Sequence, residues 1–194
     1  ILVTNDDGID SPGLLAAAGA MLPLGQVIVA APREQQTSTG RSLPTGSDGR
    51  IERRELVWQG QALEAYAVGG SPAQAVLHAV LEIVPRRPDL VVSGINYGEN
   101  VGSGVTISGT VGAALEAGAL GLPALAISLQ MLTENWYSYE QMDFSASAHF
   151  AAQFARIVLE RGLPPDADLL KIEVPIEASP QTAWKLVRQS RQRY

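Results

Sequence analysis

The chain has 194 residues, with 14 basic and 20 acidic side chains, which gives a formal net charge of −6. A domain of this length can bury a substantial core, and a hydrophobic content of 46% excludes a disordered chain. The absence of cysteine excludes a disulfide framework and a thiol nucleophile, and the acidic balance argues against binding a nucleic-acid polymer.

Strands and helices alternate in the first part of the chain. Ser11 and Ser71 each precede a proline and are predicted to cap a helix, because serine accepts a backbone hydrogen bond and proline suits the first helical position. A polar stretch over 33–48 is predicted to be a long loop, which makes it a functional candidate. The predicted elements are strands at 1–4 and 26–31, helices at 12–21 and 72–84, and two strands at 51–58 and 62–68 that form a hairpin around Gln59-Gly60.

The same alternation continues to the end of the chain. Apolar residues at helical spacing predict a long helix over 141–161, and a loop with two glycines is predicted after the strand at 90–93, over 94–100. Alternating strands and helices predict an α/β fold with a parallel sheet covered by helices on both faces. The remaining predicted elements are a helix from Ser108 to about residue 120 and strands at 124–129, 169–174 and 183–187.

Polar side chains follow three of the predicted strands. Asp6 and Asp7 follow the first strand, Thr37 lies in the loop after the second, and Asn96 follows the strand at 90–93. If the sheet is parallel, these loops meet at its carboxyl edge, where open α/β sheets bind ligands. Two carboxylates, a hydroxyl and an amide carbonyl suit a hard cation such as Mg²⁺ or Mn²⁺. The alternative is that Asp6 and Asp7 are ordinary turn residues.

A candidate anion site lies at the start of the helix that begins near Ser108. The free amides of Ser108, Gly109 and Thr110 and the helix dipole suit a phosphate group, and Arg33 or Arg41 could add a cation. Asn5, beside the two aspartates, is a further candidate phosphate contact. The alternative is that Ser108 is only a helix cap. A metal beside a phosphate-binding helix start predicts phosphoryl chemistry.

Several other enzyme classes lack their motifs. The first strand is not followed by the glycine pattern of dinucleotide-binding proteins, and Thr110 stands where a P-loop has lysine. No Gly-x-Ser-x-Gly elbow follows a strand. The two histidines, His78 and His149, lie within predicted helices and are expected to be packing or surface residues.

Five motifs in this order resemble the SurE family, the survival protein E group of metal-dependent 5′/3′-nucleotidases. The motifs are Ile1-Leu-Val-Thr-Asn-Asp-Asp-Gly-Ile9, Ser11-Pro-Gly13, Ala31-Pro32, Val92-Ser-Gly-Ile-Asn-Tyr-Gly-Glu-Asn100 and Ser108-Gly-Thr-Val111. The resemblance implies one SurE-like domain over 1–194, built as a Rossmann-like three-layer α/β sandwich. It also implies hydrolysis of nucleoside monophosphates. The family's metal ligands carry over to Asp6, Asp7, Thr37 and Asn96.

The chain departs from the family pattern at several positions. Thr37 stands where the family usually has serine, and Arg33-Glu34 stands where it has aspartate, often followed by arginine. The acid of a further motif is replaced by Gln74, and Lys171 and Glu173 replace two asparagines of a late motif. These changes bear on substrate preference more than on the metal site. The family's C-terminal segment used in dimer contacts is expected to be missing from this chain.

The resulting expectation is a cytoplasmic phosphomonoesterase that hydrolyses nucleoside 5′-monophosphates, with 3′-monophosphates as further candidates. Asp6 and Asp7 would be catalytic and would hold the metal with Thr37 and Asn96. The expected partners are a nucleoside monophosphate and further copies of the chain, in a homodimer or larger homo-oligomer, with no membrane. The alternatives are a non-catalytic nucleotide-binding protein and a hydrolase of polyphosphate or another phosphate ester. A structural module is a weaker rival.

Overall fold

A computed structural model describes residues 1–132 and 142–193. The described chain forms a seven-stranded sheet between two pairs of helices. The strands are β1 (Leu2–Thr4), β2 (Ile28–Pro32), β3 (Ile51–Trp58), β4 (Gln61–Val68), β5 (Val91–Tyr97), β6 (Ala124–Leu129) and β7 (Leu169–Val174), and the helices are α1 (Pro12–Met21), α2 (Pro72–His78), α3 (Gly109–Ala119) and α4 (Ser145–Arg161).

The sheet has the strand order β3-β4-β2-β1-β5-β6-β7. Each neighbouring pair is parallel except β3 and β4, which form an antiparallel hairpin. Gln59 and Gly60 connect the hairpin with φ angles of 48° and 83°, as a two-residue turn between twisted strands requires. The predicted parallel sheet and the predicted hairpin are both present. The parallel arrangement brings the loops after β1, β2 and β5 to one edge.

Two apolar layers hold the helices on the sheet. β1, β2, β5 and β6 are buried along their whole lengths, as strands covered on both faces must be. One layer packs α1 and α4 on one face, and the other packs α2 and α3 on the opposite face. Gly19 lets α1 approach the Trp58 ring of β3 closely, since a Cβ at this position would lie 2.2 Å from that ring.

The structure corrects two of the predicted elements. The segment 94–97, predicted as loop, continues β5, because Asn96 and Tyr97 pair with Ser128 and Leu129 of β6 after a shift in register. The strand predicted at 183–187 is wrong. This described segment forms no strand, because the chain leaves β7 and runs to Gly102, whose carbonyl oxygen accepts a 2.8 Å hydrogen bond from Gln189.

The predicted helices begin close to their expected residues. Ser11, Ser71 and Ser108 each accept a hydrogen bond from the backbone of the following helix, so all three are caps. The helix that starts at Pro72 ends in a π-helical turn over Ala79–Ile83. The long predicted helix starts at Ser145 rather than residue 141, which lies outside the described residues. None of the helices described is long and apolar enough to cross a bilayer.

Candidate functional site

The loop after β1 is held closed by Asn5. The Asn5 side chain donates a 3.0 Å hydrogen bond to the Gly8 carbonyl oxygen and accepts a 3.2 Å bond from the Gly8 amide. Gly8 has φ of +97°, which a residue with a side chain adopts only at a cost, so glycine suits this turn. The closed loop fixes the two aspartates at the carboxyl edge of the sheet.

Asp6 lies against the first residues of α3. Asp6 is 6% exposed, and its carboxylate accepts a hydrogen bond from the Thr110 hydroxyl at 2.5 Å. The amides of Gly109 and Thr110 also stabilise the charged form, as does the positive end of the helix dipole. Burial nevertheless raises the pKa of Asp6 above its ordinary value. A Cβ on Gly109 would lie 2.7 Å from the Cβ of Asp6, so this approach requires glycine.

Asp7 lies beside Asp6 with weaker hydrogen bonds. Its carboxylate accepts bonds from the Gln35 side chain at 3.5 Å and from the Tyr97 amide at 3.4 Å. Burial, and then repulsion from Asp6, raise the pKa of Asp7. Across residues 1–132 and 142–193, no lysine, arginine or histidine lies within 4.0 Å of either carboxylate. The described side chains therefore leave the pair without a neutralising cation.

Thr37 lies in an arch of the loop after β2 that is anchored at both ends. On one side, the Gln36 amide donates a 2.7 Å hydrogen bond to the Asp6 carbonyl oxygen. On the other, the Gly40 amide donates a 2.9 Å bond to the Ile107 carbonyl oxygen. The anchors bring Thr37, which is exposed, to the edge that carries the aspartates. Its hydroxyl makes no hydrogen bond to Asp6 or Asp7 in the described structure, so its role as a ligand stays a prediction.

Asn96 presents a carbonyl oxygen at the same edge. Its side-chain nitrogen donates hydrogen bonds to the carbonyl oxygens of Tyr97 at 3.0 Å and Gly98 at 2.7 Å. Among the described residues, none donates a hydrogen bond to its Oδ1 atom. The pairing of β5 with β6 shifts in register between Ser93 and Asn96. Such irregularities change the direction of side chains and are common next to binding sites. The backbone amide of the next residue, Tyr97, contacts Asp7, so Asn96 lies close to the two aspartates.

The oxygen atoms at this edge suit a divalent cation. The two adjacent carboxylates repel each other and have no cationic partner among the described residues, and no described residue donates a hydrogen bond to the Oδ1 atom of Asn96. These are hard oxygen ligands, which Mg²⁺ and Mn²⁺ prefer. The described residues contain no group of three or more histidine, aspartate or glutamate side chains that could bind a metal alone. Any metal here therefore needs neutral oxygens besides Asp6 and Asp7.

The predicted phosphate contacts already have partners inside the protein. The amides of Gly109 and Thr110 donate hydrogen bonds to the Asp6 carboxylate. The Ser108 hydroxyl accepts a 3.1 Å hydrogen bond from the Val111 amide. Asn5 is occupied by Gly8. The two candidate arginines are paired as well: Arg33 with Asp48 and Glu52, and Arg41 with Glu116. A phosphate at this helix start must share donors with Asp6, so these contacts stay predictions.

Local sequence does not reveal the partners of the aspartates or a neighbouring cavity. Thr110, a predicted phosphate contact, donates its hydroxyl hydrogen bond to Asp6. Gln35 contacts Asp7, and its place in the polar loop over 33–48 is the signal that could have indicated it. A cavity of about 390 Å³ opens beside the arch, lined by parts of 33–36, 44–48 and 68–71. No sequence pattern indicated this cavity, because its three segments meet only in the folded chain.

Comparisons with known proteins agree with this fold and these motifs. The family model "Survival protein SurE" matches residues 1–194. A protein named 5′-nucleotidase SurE from Methanocella arvoryzae is 42% identical, over 100% of this chain and 73% of its own length. One of the same name from Thermococcus kodakarensis is 41% identical over the same shares. A crystal structure of the SurE protein from Aquifex aeolicus superposes with a TM-score of 0.71 at 33% identity, over 90% of this chain and 65% of that one. The predicted Rossmann-like α/β fold is thereby confirmed.

Proposed function

The chain belongs to the SurE family, and from that premise we propose that it is a metal-dependent 5′-nucleotidase that hydrolyses nucleoside monophosphates to nucleoside and phosphate. The relatives named 5′-nucleotidase support the reaction. The observation that carries the proposal is the pair of buried carboxylates, Asp6 and Asp7, beside the side-chain carbonyl oxygen of Asn96, to which no described residue donates a hydrogen bond. Two charged carboxylates side by side in a buried site are costly unless a cation neutralises them or one of them takes up a proton.

We assign the metal to Asp6, Asp7, Thr37 and Asn96. Asp6 is held in place by Thr110, and Asn96 by the two carbonyl oxygens that fix its amide nitrogen. The arch between Gln36 and Gly40 supports a role for Thr37. A bound Mg²⁺ or Mn²⁺ would supply charge neutralisation and Lewis acidity at the phosphate ester.

Asp7 and Asp6 have different roles in the proposed hydrolysis. Asp7, which is less buried than Asp6 and oriented by Gln35 and Tyr97, accepts a hydrogen bond from the attacking water and orients it toward phosphorus. In the reaction, the water oxygen bonds to phosphorus and the ester P–O bond breaks. Of the two protons of that water, one ends on the departing oxygen, which becomes the nucleoside hydroxyl, and the other stays with the released phosphate. Asp6 is itself held against the start of α3 by the Thr110 hydroxyl and adds the second charge of the pair.

The phosphate is placed at the start of α3. Ser108, Gly109 and Thr110 begin this helix, and its dipole favours a dianion there. Because the amides of Gly109 and Thr110 also donate hydrogen bonds to Asp6, a phosphate bound there has to share these donors with Asp6. Asn5 contributes by keeping the loop of the two aspartates closed around Gly8.

We further propose that the protein works as a homodimer or larger homo-oligomer. The support is three exposed apolar side chains within 184–187, Trp184, Leu186 and Val187, of which Leu186 is 85% exposed. Contiguous exposed apolar residues are typical of association surfaces. Light scattering coupled to size exclusion measures the oligomeric state directly, and a monomer at micromolar concentration would contradict this part of the proposal.

The test is phosphate release from AMP by protein treated with EDTA, before and after Mn²⁺ or Mg²⁺ is added back. We expect release only with metal. The same metals should raise the melting temperature, because a ligand that binds only the folded state stabilises it. A metal-dependent melting shift with AMP binding but no product would instead indicate a non-catalytic nucleotide-binding protein. The absence of any metal effect in folded protein would refute the proposed site.

A further inference from the structure

The 390 Å³ cavity beside the arch is the right size for a substrate group. Its volume lies within the range of roughly 300–1,000 Å³ that small-molecule pockets occupy. Its walls are the end of β2 with the following residues, the loop over 44–48, and the turn between β4 and α2 that contains Gly69 and Gly70. These walls lie at the carboxyl edge of the sheet, on the same side as the two aspartates.

The cavity shares a wall with the candidate metal site. Gln36 lines the cavity, and its amide donates the 2.7 Å hydrogen bond to the carbonyl oxygen of Asp6. The backbone of Glu34 packs against the loop of the aspartates, since a Cβ on Gly8 would lie 3.2 Å from the Glu34 carbonyl carbon. A phosphate ester bound at Asp7 would therefore lie next to residues 34–36, which adjoin both Asp7 and the cavity.

The lining of the cavity carries one arginine and two carboxylates, which leaves one net negative charge. The arginine is Arg33, and both of its terminal nitrogens are engaged, with Asp48 at 2.9 Å and with Glu52 at 3.0 Å. Glu34 is exposed and has no cation within 4.0 Å among the described residues. The other lining residues include serine and glycine and no aromatic ring, so the cavity offers hydrogen bonds rather than a stacking surface.

We infer that this cavity receives the leaving group of the substrate and selects a neutral, hydroxyl-rich group, a nucleoside, over an anionic phosphate chain. The inference rests on the proposed function and deepens it. When the ester P–O bond breaks, a nucleoside departs as a neutral alcohol, which Glu34 and Asp48 can accept through hydrogen bonds from its hydroxyls. A polyphosphate chain departs instead as an anion, and the unneutralised charge of Glu34 repels it both before and after cleavage.

The test compares two substrates in three proteins. We measure kcat/KM for AMP and for tripolyphosphate with metal present, in the wild type, in Glu34→Gln, and in the control Glu160→Gln. Glu160 is an exposed acid near the end of α4, whose neighbour Leu159 lines the opposite, amino edge of the sheet. The two variants change the net charge equally, so only the position of the charge differs.

We expect Glu34→Gln to raise the ratio of kcat/KM for tripolyphosphate to that for AMP roughly three- to tenfold, because the variant removes one unit of repelling charge from a partly hydrated site. Glu160→Gln should leave the ratio unchanged. At about 1 M salt, where the screening length is near 3 Å, the difference between Glu34→Gln and the wild type should shrink. An unchanged ratio in a Glu34→Gln protein that hydrolyses AMP, or a wild type that prefers tripolyphosphate, would overturn the inference.

Ligand binding separates failure of this inference from failure of the proposed function. If folded protein with metal releases phosphate from neither substrate, the proposed function fails. The cavity is then tested by melting temperature, with adenosine and with pyrophosphate as probes. Stabilisation by adenosine, with pyrophosphate stabilising only Glu34→Gln, supports the selection of neutral groups. Equal or stronger stabilisation of the wild type by pyrophosphate, or no effect of adenosine, overturns it.

Discussion

Gly109→Ala tests whether the close approach of Asp6 to α3 sets the geometry of the metal site. The new Cβ would lie 2.7 Å from the Asp6 Cβ and 2.8 Å from its Oδ2. Ordinary contact begins at 3.4 Å, so the Asp6 side chain or the helix start must move by about 0.7 Å. The movement weakens the hydrogen bonds that Thr110 and the helix amides give to Asp6.

The magnitudes predict a larger effect on activity than on stability. Overpacking costs about 1–3 kcal/mol, whereas alanine in place of glycine in a helix gains about 1 kcal/mol. The net loss of up to about 2 kcal/mol lowers the melting temperature by up to about 8 °C in a domain of this size. A displaced catalytic group costs more in rate, since a misplacement of about 1 Å can reduce turnover about 100-fold. We therefore expect kcat/KM for AMP to fall roughly 10- to 100-fold.

The assay is metal-dependent phosphate release at a temperature where the variant is folded, with the affinity for Mn²⁺ measured by calorimetry. Gly104→Ala is the matched control, because a Cβ at Gly104 meets no atom within 4 Å and this glycine also lies just before α3. The control should keep wild-type activity and metal affinity. Wild-type kcat/KM and metal affinity in Gly109→Ala would refute the reasoning, since Asp6 would then tolerate displacement from the helix.

Three further changes address the remaining parts of the site. Asp6→Asn and Asp7→Asn each remove a charge that the metal requires, and we expect each to abolish metal-dependent phosphate release while circular dichroism shows a folded protein. Thr37→Ser keeps the hydroxyl and should keep metal affinity, whereas Thr37→Ala should weaken it about tenfold or more by calorimetry. Arg41→Met leaves the buried Glu116 carboxylate unpaired and should lower the free energy of unfolding by about 1–3 kcal/mol in urea titrations, and adding Glu116→Gln should recover most of this loss.

Each of these expectations has a contrary result. Near-normal rates in either aspartate variant would count against the metal site. Metal affinity in Thr37→Ala equal to that of the wild type would remove Thr37 from the ligand set and direct attention to Ser38, its neighbour in the arch. A double variant of Arg41 and Glu116 that is as unstable as Arg41→Met alone would show that the loss comes from arginine packing rather than from the unpaired charge.

Local sequence was sufficient to predict most of the elements. Continuous apolar runs predict buried strands, and Gln59-Gly60 between two strand-like segments predicts the observed hairpin. The three serine caps likewise place the starts of α1, α2 and α3. The two wrongly predicted elements lie where strand pairing, rather than local composition, determines whether a strand forms. Residues 94–97 contain a glycine that suggests a loop, but Asn96 and Tyr97 pair with β6 and continue the strand. Residues 183–187 have a strand composition but no strand beside them in the described structure.

The sequence by itself determined which chemistry the carboxyl edge of the sheet carries, because polar residues directly after buried strands of a parallel sheet must gather there. Only the tertiary structure decided how these residues share their partners. It directed the start of α3 to Asp6, engaged both candidate arginines in ion pairs, and built the cavity from three distant segments. The physical reason is that hydrogen bonds and ion pairs are short-ranged and compete for the same donors, so their assignment depends on distances that no sequence pattern contains.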